Sequence, residues 1–94
     1  MESSTTTRST HLHMHLHHNL KLLRTYRGYN ADVVANAIGV KRSTLSGWEN
    51  AQSEPNCTHL LALSSYYRMS IDLLLGKNLM EMRRSDIEEL QRAY

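Results

Sequence analysis

Apolar positions recur every three or four residues along most of the chain and almost nowhere alternate, so the pattern predicts helices and no strand. A first helix over about 15–27 places Leu16, Leu20 and Leu23 on one face, and Gly28 supplies the left-handed residue that ends it. A second starts after Asn30, a good N-cap, with Asp32 in its first turn where the helix dipole favours an acid. Its buried stripe is Val34, Ala35 and Ile38; Gly39 ends it, and Val40 turns into the core. A third helix, about 42–50, has Leu45, Trp48 and Glu49 on its inner side and Arg42, Ser43, Ser46 and Gly47 on its outer side. After a polar loop at 52–54, Pro55 opens a fourth helix over about 56–68 that buries Leu60, Leu61, Leu63 and Ser64. Ser70 caps a fifth over 71–75, ended by Gly76. Ser85 to Glu88 reads as a capping box, starting a last helix with Ile87, Leu90 and Tyr94 on one stripe.

The window 31–50 is the most informative. Two short helices joined at Gly39-Val40 meet steeply through Ala35, Ile38, Val40, Leu45 and Trp48, the pattern of a DNA-binding helix-turn-helix whose second helix lies in the major groove. Ala35 must be small where the third helix crosses. Gly47 costs up to ~1 kcal/mol in a helix interior relative to alanine, which points to close approach of another group or to simple tolerance.

Composition narrows the classes. Ninety-four residues make one domain. No apolar run reaches the length of a membrane span, and the start lacks the pattern of a signal peptide. A lone cysteine, Cys57, excludes an internal disulfide and a multi-cysteine zinc site and makes a cytoplasmic, reducing location the expectation, nucleoid-associated if the helix-turn-helix pattern holds. The net charge of +2 is small but uneven: from 16 to 78 seven basic residues face four acids, whereas from 79 onward three arginines face four acids. The positive side belongs to the helix-turn-helix segment, where phosphate affinity needs it; a solvated basic face is the alternative. Residues 1–13, rich in Ser, Thr and His, are expected to be a disordered tail, with Met14 an alternative start. Residues 14–77 then form the DNA-binding domain and 78–94 a helical extension, serving dimerisation or linking to a further domain.

Leu20-x-x-Leu23-Arg24, Gly28, Val34-Ala35, Ile38-Gly39-Val40, Ser43-Thr44-Leu45, Trp48-Glu49-Asn50, Pro55, Leu60 to Leu63 and Ser70-Ile71-Asp72-Leu73-Leu74 occur in this order. With that set the segment 16–77 resembles the lambda-repressor-like, Cro-type (XRE) helix-turn-helix family. The resemblance implies an all-α fold of five helices, here with an extra C-terminal helix. It implies a structural ion pair between Arg24 and Glu49, base contacts from Arg42, Ser43, Ser46 and Gly47, and backbone contacts from Asn30, Ala31, Lys41, Thr44, Asn50 and Gln52. Arg42 has the chemistry for a bidentate guanine contact, and the N-terminus of the second helix offers free N–H groups to a phosphate. Ala31 stands where the family often has glutamine, and Lys41 where it often has a capping Ser or Thr. Lysine cannot cap a helix, though it can reach a phosphate.

Other chemistry is thin. His11, His13 and His15, with His17 and His18, have the donor type for Ni, Cu or Zn, but no acid or cysteine stands beside them at a fixed spacing, so no metal site and no cofactor are expected. Cys57 near a helix start is a candidate redox thiol or a small helix residue. No nucleophile elbow or triad spacing is present, and no enzyme activity is expected. Tyr66, Tyr67 and Met69, with Leu79, Met80 and Met82, are core or part of a dimer surface. The expected function is sequence-specific binding of double-stranded DNA at a palindromic operator by a homodimer, as a transcriptional repressor. The rivals are an antitoxin, the N-terminal part of a longer repressor, and an interaction module that has lost DNA binding.

Overall fold

The computed structural model describes residues 15–94. The expected tail at 1–13, the alternative start and His11 and His13 lie outside the described residues. Among these described residues six α-helices follow in order: α1 Leu16–Arg27, α2 Ala31–Ile38, α3 Arg42–Glu49, α4 Cys57–Tyr67, α5 Ile71–Gly76 and α6 Arg84–Ala93. A single 3-10 turn at Leu79–Glu81 precedes α6, and no strand occurs among the described residues.

The helix ends follow local chemistry. Gly28 (φ 71°) and Gly39 (φ 87°) adopt the left-handed conformation that closes α1 and α2, where a Cβ would be strained. Asn30 accepts from Val33 N–H, Asn56 from His59 N–H and Ser70 from Leu73 N–H, each satisfying one orphan donor of a first helical turn. Lys41 precedes α3 with extended backbone and no side-chain cap.

Three boundaries differ from the pattern. Pro55 does not open α4; Asn56 caps it and Pro55 is buried one residue earlier. Ser85 is not the cap of α6, which begins at Arg84 after Arg83. Arg84 is fixed there because its guanidinium lies 5.1 Å over the Tyr26 ring and donates to the Tyr26 carbonyl at 2.6 Å. Gly76 is the last residue of α5 and takes no left-handed turn, since the chain leaves through extended Lys77.

The core is one cluster: Leu16, Leu20 and Leu23 of α1, Val34 and Ala35 of α2, Leu45 and Trp48 of α3, and Leu63, Tyr67, Met69, Leu74, Leu79 and Ile87 beyond. Leu61 is 61 % exposed rather than buried, because Leu63 and Ser64 mark the inner side of α4. Of the residues left open between core and surface, Tyr67, Met69 and Leu79 are buried, Tyr66 and Met82 half-buried, and Met80 exposed.

Asn19, fully buried on α1, holds the C-terminal side of α5. Its Nδ2 donates to the carbonyls of Leu74 (2.8 Å) and Lys77 (2.6 Å), and its Oδ1 accepts from Leu79 N–H (3.2 Å). That arrangement satisfies carbonyls that the missing left-handed turn would otherwise have closed. The last helix is docked on α4 through Gln91 Nε2 to the Tyr67 carbonyl (2.7 Å), Arg68 Nε to the Gln91 carbonyl (3.3 Å) and Tyr94 to Ser64 hydroxyl (2.7 Å), with Ile87 in the core.

Candidate nucleic-acid interface

The position of α3 is set from inside. Leu45 and Trp48 are buried against α1 and α2. At the end of α3, Glu49 meets Arg24 of α1 in a fork: Nε to Oε2 at 2.8 Å and Nη2 to Oε1 at 3.0 Å. The remaining Nη1 donates to the Tyr29 carbonyl at 3.0 Å, so one guanidinium ties α1, the turn into α2 and the end of α3. The Glu49 carboxylate pushes the Arg24 pKa further up, which outweighs the partial burial acting against it. His17 of α1 adds a second tie, its Nδ1 donating to the Trp48 carbonyl, while the Trp48 ring lies tilted 5.3 Å from His59 of α4. His17, on helix α1, is therefore part of the scaffold.

The outer side of α3 carries Arg42 and Ser43, both exposed, at its N-terminal turn. Arg42 leans toward Asp32 of α2 at 3.8 Å, a contact between exposed groups that water screens strongly. Thr44 and Ser46 are half-buried, and Ser46 Oγ accepts from Asn50 Nδ2 at 3.2 Å. Asn30, Lys41, Asn50 and Gln52 are exposed; Ala31 is half-buried and packs against the core.

Gly47 is not on the open face. It is buried under the loop after α3, and a Cβ there would lie 3.0 Å from Ser53 Oγ and 3.9 Å from Gln52 Oε1. The loop folds back because Gln52 and Ser53 N–H both reach the Gly47 carbonyl, at 2.9 and 3.3 Å, with Ala51 left-handed at φ 61°. The absence of a side chain at 47 makes room for this turn. Neither Asn19, His17, the Asp32 contact nor the turn at Ala51 was legible beforehand; only the helix-breaking glycine at 47 hinted that something lay close.

Among the described residues no group of three or more His, Cys, Asp or Glu could hold a metal ion, and no helix is long and apolar enough to cross a membrane. Cys57 is exposed.

A sequence model of the helix-turn-helix family matches residues 20–74. The chain is similar to the HTH-type transcriptional regulator ImmR of Bacillus subtilis, 35% identical over 69% of this chain and 51% of the relative. It is also similar to the HTH-type transcriptional activator BcrR of Enterococcus faecalis, 28% identical over 78% of this chain and 36% of the relative. The chain thus spans about half the length of the first of these relatives and about a third of the second. No solved structure matches.

Proposed function

The chain belongs to the lambda-repressor-like helix-turn-helix family of transcriptional regulators, and from that premise we propose that it binds a specific double-stranded DNA operator with α3 in the major groove. The observation that supports this best is the pairing of a braced helix with an open reading end. Arg24, Glu49 and His17 hold α3 from behind, while Arg42 and Ser43 stand exposed at its N-terminal turn. Arg42 leaves its weak contact with Asp32 for a guanine edge, a bidentate exchange worth about 1–3 kcal/mol of base discrimination. Ser43 and Ser46 add ambivalent polar contacts, and Ser46 is preset by Asn50. Asn30, Ala31, Lys41, Thr44, Asn50 and Gln52 flank that end and contact the phosphate backbone. Gly47 acts indirectly, by letting the loop that carries Gln52 close on α3.

Residues 14–77 act as the DNA-binding unit. The segment 78–94 extends it and serves a homodimer on a palindromic operator, a reading supported by exposed Met80 beside a groove formed with His18, Lys21, Leu22, Thr25 and Tyr26. Repression follows from occlusion: a dimer seated on a promoter excludes polymerase without further contacts. The protein acts where the chromosome is, in the cytoplasm.

Selection of genomic fragments by the purified protein, followed by sequencing, tests this. Enrichment of a palindrome with half-sites about one helical turn apart, and relaxed preference at one base position for Arg42→Ala, are the expected results. A uniform loss over all sequences would make Arg42 a phosphate clamp. Absence of any salt-dependent binding would overturn the DNA-binding reading, since each phosphate contact contributes about −0.9 to the slope of log K against log salt.

A further inference from the structure

Seven arginines are present among the described residues. Four have a carboxylate partner: Arg24 with Glu49, Arg42 with Asp32, Arg83 with Asp86 and Arg84 with Glu88. The three without one among the described residues are Arg27, Arg68 and Arg92, and all three line the same open groove of about 470 Å³ between the ends of α1 and α4 and the last turns of α6. Gln91 and Glu88 complete its lining, and Glu88 is already turned to Arg84 at 3.5 Å.

The groove is assembled, not a chance crowding of surface side chains. Arg68 closes α4 in the left-handed conformation (φ 53°, ψ 54°), a place where glycine costs least and a long side chain is strained by about 1 kcal/mol. Its Nε is committed to the Gln91 carbonyl, which leaves both terminal amino groups of the guanidinium free to face a ligand. Gln91 is fixed in turn through its Nε2 to the Tyr67 carbonyl. One wall is therefore pinned to two helices, and Arg27 and Arg92 supply positive charge at its margins.

We propose that this groove is an anion site for a phosphate group carried on a larger molecule. Three guanidinium groups present more donors than one carboxylate can use and match a tetrahedral dianion with three terminal oxygens. The volume is in the range of ~300–1,000 Å³ typical of small-molecule sites, so a phosphate ester fits where a bare ion would leave most of the space to water.

The test is an amide NMR titration of the full chain with inorganic phosphate and then glycerol phosphate, at ionic strength held constant with sodium chloride. Saturable shifts confined to residues 27, 68 and 88–92 are expected, with affinity falling about tenfold in Arg27→Ala and in Arg92→Ala. Both side chains are exposed, so the fold tolerates these changes. Shifts that never saturate, or unchanged affinity in both variants, would overturn the proposal. The source of the phosphate is read separately from the salt slope of DNA binding. A slope smaller by about one in Arg92→Ala, with phosphate competing against DNA, makes the group a DNA backbone phosphate. An unchanged slope makes it a soluble ester. The NMR titration contains no DNA, so its failure and a failure of the DNA-binding reading are distinguishable.

Discussion

Removing Arg24 should cost more than removing Glu49, and the two losses should not add. Arg24→Ala deletes both bonds of the fork and the bond to the Tyr29 carbonyl, and it strands a carboxylate whose side chain is only 5 % exposed. Leaving one member of a fully buried pair alone costs about 3–5 kcal/mol. The Arg24 side chain is 18 % exposed, so water reaches part of this site and the low end of that range applies, about 3 kcal/mol. Glu49→Ala leaves a guanidinium that keeps Tyr29 and gains water, a loss of about 2 kcal/mol. With both gone no charge is stranded, and the double variant should lose about 3 kcal/mol, giving a coupling of about 2 kcal/mol. Urea unfolding followed by fluorescence of Trp48, the single tryptophan and the immediate neighbour of Glu49, measures all four corners of the cycle. Losses that add to within about 0.5 kcal/mol would show that the fork is not an energetic unit. In that case the brace assigned to α3 fails with it.

Other consequences are independent of that pair. Asn19→Ala strands the Leu74 and Lys77 carbonyls and Leu79 N–H and should lower stability by about 3 kcal/mol; a loss below about 1 kcal/mol in the same urea assay would mean that water replaces the side chain. Tyr67 Oη is buried without a hydrogen-bond partner among the described residues, so Tyr67→Phe should be neutral or stabilising by about 1 kcal/mol, and a clear loss would reveal a hidden bond. Burial, then the Glu49 charge, pushes the Tyr67 pKa up. A raised folded-state pKa gives stability that is complete below the unfolded tyrosine value of about 10 and is lost as pH climbs through the folded one. Wild type should therefore lose more stability than Tyr67→Phe above about pH 10, read from Tm against pH. Lys41→Thr supplies the missing cap of α3 and should add about 1 kcal/mol of stability while weakening DNA binding, and unchanged affinity would remove Lys41 from the phosphate contacts.

Helix stops at Gly28 and Gly39 and starts at Asn30 and Ser70 were legible because each depends on backbone angles and N–H groups within three or four residues. The stripe of Leu16, Leu20 and Leu23 was legible for the same reason, a period that one helix face imposes. Ser85 misled because the local capping box lost to a distant interaction, Arg84 with Tyr26, which starts α6 earlier. Leu61 misled because α4 carries apolar residues around much of its circumference, so periodicity alone cannot choose its inner face. Of the candidate interface, Arg42 and Ser43 stand exposed, whereas Gly47 is covered by a loop whose path no local rule describes.

By itself the sequence determined that the chain is helical, where most helices begin and end, and that residues 31–50 form two short helices around a tight turn. Those properties come from interactions between near neighbours, and the order of residues contains them directly. Tertiary structure alone decided which polar groups meet across the chain: Asn19 with the end of α5, His17 with Trp48, and Arg27, Arg68 and Arg92 around one groove. The hydrogen bonds among these contacts join residues 31 to 60 positions apart. They exist only once apolar burial has brought six helices together, because the geometry of a hydrogen bond or a charge cluster is a property of the packed core's shape and not of spacing along the chain.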